Sequence, residues 1–223
     1  MHILKLMFFL LFSLFFVTAC GSSSDNNGGT TDKTLYEDAE NGLVDKWEVT
    51  LGPYEVLNVQ EGAQGSSRSI FLRHDWHKEN GKMISGVSYR LTNENATPWN
   101  NTTQKVLHLD HMKKVSGDNK TYSFTISVET MTKLGKRMLS FNTYYDKMKM
   151  DPSSQSYPDV DYIELTYPLN LQYVKEFDTW QHIRLDLQEY LHQLEPQNEI
   201  IAINAFVFEG GDDYLDNISL ASN

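Results

Sequence analysis

Hydrophobic and polar residues alternate with a period of two along much of the chain beyond Leu35. The clearest run is Thr121–Glu129, where every second residue from Tyr122 to Val128 is apolar and the residues between them are polar. Successive side chains of a β-strand point to opposite faces, so this run predicts a strand with one buried and one solvated face. Alternation or short β-rich runs predict eleven strands: Lys46–Leu51, Tyr54–Val59, Ser69–Arg73, Gly86–Leu91, Lys105–Leu109, Thr121–Glu129, Arg137–Tyr145, Tyr162–Tyr167, Trp180–Leu187, Glu199–Phe208 and Tyr214–Leu220.

Three segments refine this prediction. Ile200–Phe208 is apolar on both faces, which is typical of a central strand, and Leu187–Leu194 is the one segment that favours a short helix. Asp146–Asp161 is polar and contains proline, so it predicts a long loop at the rim of the domain. Many strands with turn-rich connections and little helix predict an all-β fold, a two-sheet antiparallel β-sandwich of the jelly-roll type.

The N-terminal segment differs in character from the rest of the chain. Lys5 is followed by an apolar run of roughly 15 residues, which is shorter than the ~20 that a membrane-spanning helix requires. A basic residue, an apolar run and small residues before a cleavage site predict a secretory signal peptide over residues 1–19. Val17-Thr18-Ala19-Cys20 resembles the bacterial lipobox, and Cys20 is the only cysteine in the chain. The resemblance implies that Cys20 is lipidated, and that Gly21 after it directs the protein to the outer membrane of the cell envelope.

The segment that follows predicts a tether. Residues 20–33 contain no large apolar side chain, a composition that behaves as a flexible linker, and they leave residues 34–223 for the β-sandwich domain. The formal net charge of the chain is −11, which repels polyanions on average, so nucleic acid is not expected as a partner. Contact with the membrane is expected through the lipid anchor. Acidic side chains suit a hard cation such as calcium.

Acidic residues stand at both ends of the predicted domain. Glu37 is in phase with Leu35 and Ala39, and Asp216 is in phase with the apolar residues of the last strand, so both carboxylates should point inward. A buried carboxylate is costly unless a cation or several hydrogen-bond donors neutralise it. We therefore predict a structural calcium between the first and last strands, with Asp38 and Glu40 as further ligands. The alternative is that these acids are solvated or paired with arginine or lysine.

Three motifs resemble those of a known family of domains. They are YEDAENG…W from Tyr36 to Trp47, TWQHIRLDL from Thr179 to Leu187, and GGDDYLDNISL from Gly210 to Leu220. Together they resemble the galactose-binding-like jelly rolls of carbohydrate-binding modules. The resemblance implies binding of a polysaccharide or oligosaccharide without cleavage, and it implies a calcium held by acids of the first and last strands.

Aromatic side chains that stack on sugar rings, flanked by polar groups, are the expected ligand contacts. Trp76 and Trp99 lie in polar, turn-rich surroundings, so both are expected to be exposed, whereas Trp47 and Trp180 are expected in the core. The solvated strand faces add polar candidates, provided that their strands are neighbours: Arg90, Asn142, Tyr144, His182 and Arg184.

Other chemistry is less well supported by the sequence. Two His-x-x-His spacings, His74/His77 and His108/His111, place their imidazoles on opposite faces of a strand, which does not favour a transition-metal site. Gln181-His182 and Tyr145–Lys147 depart from the Gln-x-His and Tyr-x-Lys-x-Gly-x-Tyr motifs of alginate-lyase-type jelly rolls.

The function expected from the sequence is therefore that of a lipid-anchored, non-catalytic carbohydrate-binding protein with a structural calcium. Two alternatives remain open. The first is a jelly-roll polysaccharide lyase or hydrolase, and the second is a structural or adhesive envelope lipoprotein.

Overall fold

Two β-sheets carry nearly all of the regular structure. The computed structural model describes residues 32–52, 55–73, 78–79, 82–83, 88–114, 124–143, 151–169 and 176–222. The strands are β1 (Lys33–Glu37), β2 (Trp47–Leu51), β3 (Glu55–Val59), β4 (Ser69–Arg73), β5 (Lys78–Glu79), β6 (Lys82–Met83), β7 (Ser88–Leu91), β8 (Val106–Lys113), β9 (Thr125–Thr132), β10 (Gly135–Asn142), β11 (Ser153–Ser156), β12 (Ile163–Pro168), β13 (Gln181–Asp186), β14 (Ile200–Glu209) and β15 (Asp213–Ala221). A short 3₁₀ helix covers Glu94–Ala96, and the α-helix α1 covers Leu187–Leu194.

The strand order defines the two layers of the sandwich. Sheet 1 has six strands in the order β13-β8-β15-β4-β3, with β1 paired to β15 beside this path. Sheet 2 has seven strands in the order β11-β12-β10-β9-β14-β7-β2. Neighbouring strands are antiparallel except for β10 and β12, which are parallel. Strands β5 and β6 form a separate two-stranded sheet.

The hydrophobic core lies between sheet 1 and sheet 2. Alternation along each strand turns one set of side chains inward, and burying this apolar area supplies most of the stability of such a sandwich. The fully buried core side chains include Ile70, Leu72, Leu107, Leu109 and Leu215 from sheet 1, and Tyr89, Ile126, Leu139, Phe141, Phe206 and Phe208 from sheet 2. Helix α1 adds Leu187 and Leu191 to this core. It begins where the Asp186 carboxylate accepts a hydrogen bond from the Glu189 amide at 3.0 Å, a typical N-cap.

The predicted fold class is confirmed. Each of the eleven predicted strands overlaps an observed one, Ile200–Phe208 lies within the central strand β14, and Leu187–Leu194 is the helix α1. The prediction of a loop throughout Asp146–Asp161 is wrong, because β11 lies inside this segment and pairs with β12. Within the described part of the chain, no helix is both long and apolar enough to cross a membrane. The predicted signal peptide, Cys20 and the tether lie outside the described residues.

In the first strand, one prediction of which side chains share a face is wrong. The register of β1 against β15 shifts between Leu35 and Glu37, which marks a β-bulge. A bulge adds one residue to a strand and changes which face the following side chain occupies. Leu35 is consequently 48% exposed while Glu37 is buried, although the two were expected to share a face. Asp216, Ile218 and Leu220 are all buried, as predicted.

Candidate functional site

The acids of the first and last strands receive hydrogen bonds from the chain itself. Glu37 accepts a bond from the Ala39 amide at 2.8 Å on Oε1 and one from Trp47 Nε1 at 2.9 Å on Oε2. Burial raises the pKa of Glu37, and these two hydrogen bonds act in the opposite direction. The buried carboxylate therefore has a donor on each of its oxygens.

Glu40 organises the loop that precedes β4. Its Oε1 accepts hydrogen bonds from the Ser67 and Arg68 amides at 2.8 and 2.9 Å, and from the Ser66 hydroxyl at 2.7 Å. Its Oε2 accepts a further bond from the Ser67 hydroxyl at 2.6 Å. Donors that bind the charged form favour it, so they lower the pKa of Glu40 to about 2.

Asp216 holds the same loop from the other side. Its Oδ2 accepts a hydrogen bond from the Ala63 amide at 2.9 Å, and its Oδ1 accepts one from the Asn217 amide at 2.8 Å. Burial raises the pKa of Asp216, while these bonds oppose the shift. A side chain at Gly62 would bring its Cβ within 2.6 Å of Ser66, so the loop closes only because this position has no side chain.

We call Glu37, Asp38, Glu40 and Asp216 with their donors the β1/β15 seam. Asp38 also has a donor, since its Oδ1 accepts a bond from the Glu40 amide at 3.2 Å. Among the described residues, no three His, Cys, Asp or Glu side chains are arranged to hold a metal ion. Calcium was expected in part because the buried carboxylates needed a partner, and these hydrogen bonds remove that part of its basis. Calcium binding at the seam stays a prediction.

A second cluster of charges is buried where β15 begins. His111 Nε2 lies 2.8 Å from Asp213 Oδ1, and Lys113 Nζ donates to Asp213 Oδ2 at 2.8 Å and to the carbonyl oxygen of Gly211. All three side chains are less than a tenth exposed. The nearby Gly210 must be glycine, because an added Cβ would lie 2.8 Å from both Asp213 Oδ2 and the Phe208 ring. This cluster ties β8 to β15 inside the sandwich.

The outer face of sheet 2 carries a different set of charged groups. Arg90 on β7 makes a bidentate pair with Glu129 on β9, at 2.6 Å from Nε to Oε1 and 2.9 Å from Nη2 to Oε2. The pair crosses β14, where Ala205 lies opposite Glu129 and Val207 opposite Arg90. The hydrogen bond to Glu129 raises the pKa of the Arg90 guanidinium.

Further acids flank this ion pair. Glu129 lies opposite Met138, and Met138 lies opposite Glu164 on β12, which places the two glutamates roughly 10 Å apart at two strand spacings. Desolvation raises the pKa of Glu209 on β14, and the charge of Glu164 raises it further.

Two tyrosines stand among these carboxylates. Tyr157 donates its hydroxyl to Glu164 Oε2 at 3.1 Å. Tyr162 is half-buried, and its pKa is raised by burial first and then by Glu164, Glu209, Glu129 and Asp161. The negative charge of the polar strand faces is therefore felt at the Tyr162 phenol.

Asn142 completes this surface. It lies opposite Thr125 on β9, and Thr125 lies opposite Glu209 on β14, so Asn142 and Glu209 share one row. Its Oδ1 is buried and has no hydrogen-bond partner among the described residues. Such an acceptor is costly to leave unpaired. We call Arg90, Glu129, Asn142, Tyr157, Tyr162, Glu164 and Glu209 the polar face.

The structure divides the predicted ligand contacts. Arg90 and Asn142 lie together on the polar face, whereas His182 and Arg184 lie on β13 in sheet 1. The condition that their strands are neighbours is not met between His182 or Arg184 and the other candidates, because β13 belongs to the opposite layer. Trp76 and Tyr144 lie outside the described residues.

The predicted tryptophan environments are corrected in two cases. Trp99 is only 7% exposed, because its ring stacks on Tyr36 with centroids 3.8 Å apart and planes 17° apart. Trp180 was expected in the core but is half-buried, with its ring edge-on to Tyr214 at 6.4 Å. Trp47 packs against the core, as expected, and donates to Glu37.

Sequence reasoning missed Glu129, Glu164, Glu209, Tyr157 and Tyr162. A signal for Glu129 was present, because it occupies the polar phase of the clearest alternating strand. Glu164 likewise occupies a polar position of the alternating run Tyr162–Tyr167. The strand order that brings these side chains onto one surface is not encoded in any single alternating run.

Comparisons with known proteins give the following findings. Neither a scan against protein-family models nor a search of curated proteins finds a match. Solved structures with a similar β-sandwich fold include the family 30 carbohydrate-binding module of the cellulosomal cellulase Cel9D-Cel44B of Clostridium thermocellum. That module shows 12% identity and a TM-score of 0.49, over 86% of this chain and 98% of the module.

Two xylanase modules are also similar. The CBM22-1 xylan-binding domain of Paenibacillus barcinonensis Xyn10C shows 11% identity and a TM-score of 0.44, over 86% of this chain and 97% of that domain. The C-terminal family 22 carbohydrate-binding module of Clostridium thermocellum Xyn10B shows 12% identity and a TM-score of 0.41, over 84% and 92%. At such identities, the function of this chain has to be argued from its own residues.

Proposed function

We propose that this protein is a non-catalytic carbohydrate-binding protein, anchored to the bacterial cell envelope through a lipid on Cys20, that binds glycan on the polar face. The observation that carries the proposal is that one sheet surface holds Tyr162, three glutamates and the Asn142 amide oxygen, which has no partner within the described part of the chain. Binding sites for sugars need this combination of an aromatic surface and convergent polar groups.

The charges of the polar face indicate the class of glycan. Arg90 is already engaged by Glu129 in a bidentate pair, so its charge is largely neutralised. Glu164 and Glu209 add negative charge beside Tyr162. Carboxylates accept hydrogen bonds from sugar hydroxyls but repel carboxylate or sulfate groups. We therefore expect a ligand without acidic groups.

The anchoring part of the proposal rests on the N-terminal sequence. The predicted signal peptide ends at the lipobox-like Val17-Thr18-Ala19-Cys20, and residues 20–33 provide a polar tether. A tether of this length lets a folded domain reach glycan away from the membrane surface while the lipid retains it. Metabolic labelling with a clickable fatty acid, lost in Cys20→Ser, tests this part separately.

Calorimetric titration of the purified protein tests the binding part. Neutral oligosaccharides of xylan and β-glucan are compared with oligogalacturonate as an acidic ligand. We expect a neutral ligand to bind and the acidic one not to bind. Tyr162→Ala and Glu164→Gln should each lower the affinity about tenfold, which corresponds to about 1.4 kcal/mol.

A matched control is available in sheet 1. Glu55→Gln changes an exposed glutamate of β3 whose pair with Arg73, at 3.4 Å, is solvated, so affinity should not change. Equal affinities in the wild type and both polar-face variants would contradict the proposed site. Release of new reducing ends or unsaturated products from any of these glycans would favour the enzymatic alternative.

A further inference from the structure

Two histidines that are distant in the sequence meet on the outer face of sheet 1. His108 on β8 lies opposite Arg184 of β13, and His182 lies opposite Asp110, so the two imidazoles occupy diagonal positions on adjacent strands. His108 Nδ1 and His182 Nε2 are 3.1 Å apart. The sequence motif His108/His111 does not form a pair, because His111 points into the core and bonds to Asp213.

The orientation of His182 is set by its neighbours. Its Nδ1 lies 2.8 Å from Asp110 Oδ1, and a carboxylate only accepts, so Nδ1 is the donor and the neutral tautomer offers its lone pair on Nε2. Asp110 is held in turn by Asn217 Nδ2, which donates to Oδ2 at 2.8 Å. The His182 side chain is 56% exposed, so the imidazole borders solvent.

The nitrogen separation matches that of two ligands on one metal ion. Metal–imidazole bonds are about 2.0–2.1 Å long, so two nitrogens at right angles or in a tetrahedron lie about 2.9–3.4 Å apart. The observed 3.1 Å falls within this interval. A carboxylate that accepts the other N–H of a ligating histidine is the usual supporting contact of such sites.

We propose that His108 Nδ1 and His182 Nε2 form an open binding site for a divalent first-row transition metal, with Asp110 and Asn217 as positioning residues. His108 then carries its proton on Nε2 instead of Nδ1, a change of tautomer without net proton release. The protein supplies two ligands and solvent fills the other positions. This agrees with the finding that no three metal-binding side chains converge among the described residues.

The charges around His108 affect how strongly the site binds a metal. Lys33 and Arg184 lie close enough to His108 to act on it electrostatically, and their positive charge weakens the binding of a dication. Cu²⁺ is the strongest binder of nitrogen ligands in its series, so it is the probe of choice. Arg184→Gln should strengthen binding severalfold, because it removes one of these charges.

Titration of the purified full chain with Cu²⁺, followed by calorimetry and electron paramagnetic resonance, tests the site. We expect one site with two nitrogen ligands. His108→Ala and His182→Ala should each abolish it, and Asp110→Asn should weaken it 10- to 100-fold, as is typical for a supporting carboxylate. His192→Ala is the matched control, because His192 is an exposed histidine on α1 away from the pair.

Two outcomes would overturn the proposal. One is an unchanged two-nitrogen spectrum in both His108→Ala and His182→Ala, which would assign the metal to other histidines. The other is no saturable binding by the wild type at micromolar Cu²⁺. Thermal melting of each variant shows whether it is folded, and the less intrusive His182→Gln retains a polar side chain should the alanine variants fail to fold.

Discussion

Carboxylates occur in two regions of this molecule under opposite physical conditions. In the β1/β15 seam, Glu37, Glu40 and Asp216 accept hydrogen bonds on both of their oxygens, mostly from backbone amides. On the polar face, Glu164 and Glu209 act electrostatically on Tyr162, and Glu164 acts on Glu209. The hydrogen-bond donors around an acid, and not its position in the sequence, therefore decide whether it stabilises the fold or is available to a ligand.

The pKa shifts express the same difference. Donors from the preceding loop lower the pKa of Glu40 to about 2, whereas desolvation and the charge of Glu164 raise the pKa of Glu209. An acid whose charged form is preferred in the folded state contributes to stability, and one whose charged form is disfavoured subtracts from it. The two acids therefore differ in the sign of their expected contribution to stability.

The largest effect is expected for the buried cluster at the start of β15. Asp213→Asn leaves the Lys113 ammonium buried without its counterion, and breaking a buried pair typically costs about 3–5 kcal/mol. Urea unfolding should show this loss of unfolding free energy. Glu164→Gln on the polar face serves as the comparison and should change it by less than about 0.5 kcal/mol. Equal losses of unfolding free energy in the two variants would contradict the proposed difference between the buried cluster and the polar face.

A smaller effect is expected at the seam. Asp216→Ala leaves the buried Ala63 amide and the Asn217 amide without acceptors, at a cost of about 1–3 kcal/mol for such unsatisfied groups. Thermal melting in calcium and in a chelator then tests the predicted metal. A calcium-dependent rise in Tm that is absent in Asp216→Ala supports a metal at the seam. Identical melting of the wild type in both buffers shows that the hydrogen bonds suffice.

The smallest effect, and the most specific, is a pair of opposite pH dependences. The pKa of Glu40 is below its usual 4.5, so its contribution to stability is present above pH 4.5 and is lost as the pH falls toward 2. The pKa of Glu209 is above 4.5, so its ionised form destabilises the fold, and that cost disappears as the pH falls through the raised pKa.

These contributions are measured by the unfolding free energies of Glu40→Gln and Glu209→Gln between pH 7 and pH 3. At each pH, the value of the variant is subtracted from the value of the wild type. The Glu40 difference should shrink from a positive value as the pH falls. The Glu209 difference should shrink from a negative value over a higher pH range. If the two free-energy differences had the same sign at pH 7, the proposed contrast between the β1/β15 seam and the polar face would be wrong.

Much of the fold follows from alternation along the chain. The period of two places every second side chain on one face, so the eleven strands, the inward turn of Asp216 and the opposite faces of His108 and His111 are all readable from local sequence. Two expectations drawn from local sequence fail. A β-bulge reverses the phase of Leu35 and Glu37, and the ring of Tyr36 buries Trp99.

Strand neighbours, in contrast, are set by the tertiary structure. Alternation assigns Arg90, Asn142, His182 and Arg184 to solvated faces, but it carries no information about strand order, which depends on contacts between residues far apart in the chain. The order in each sheet separates Arg90 and Asn142 from His182 and Arg184, and it brings His182 to His108 instead. The donors for Glu40 and Asp216 also come from a loop distant in sequence, so hydrogen bonds satisfy acids for which the sequence alone suggested a metal.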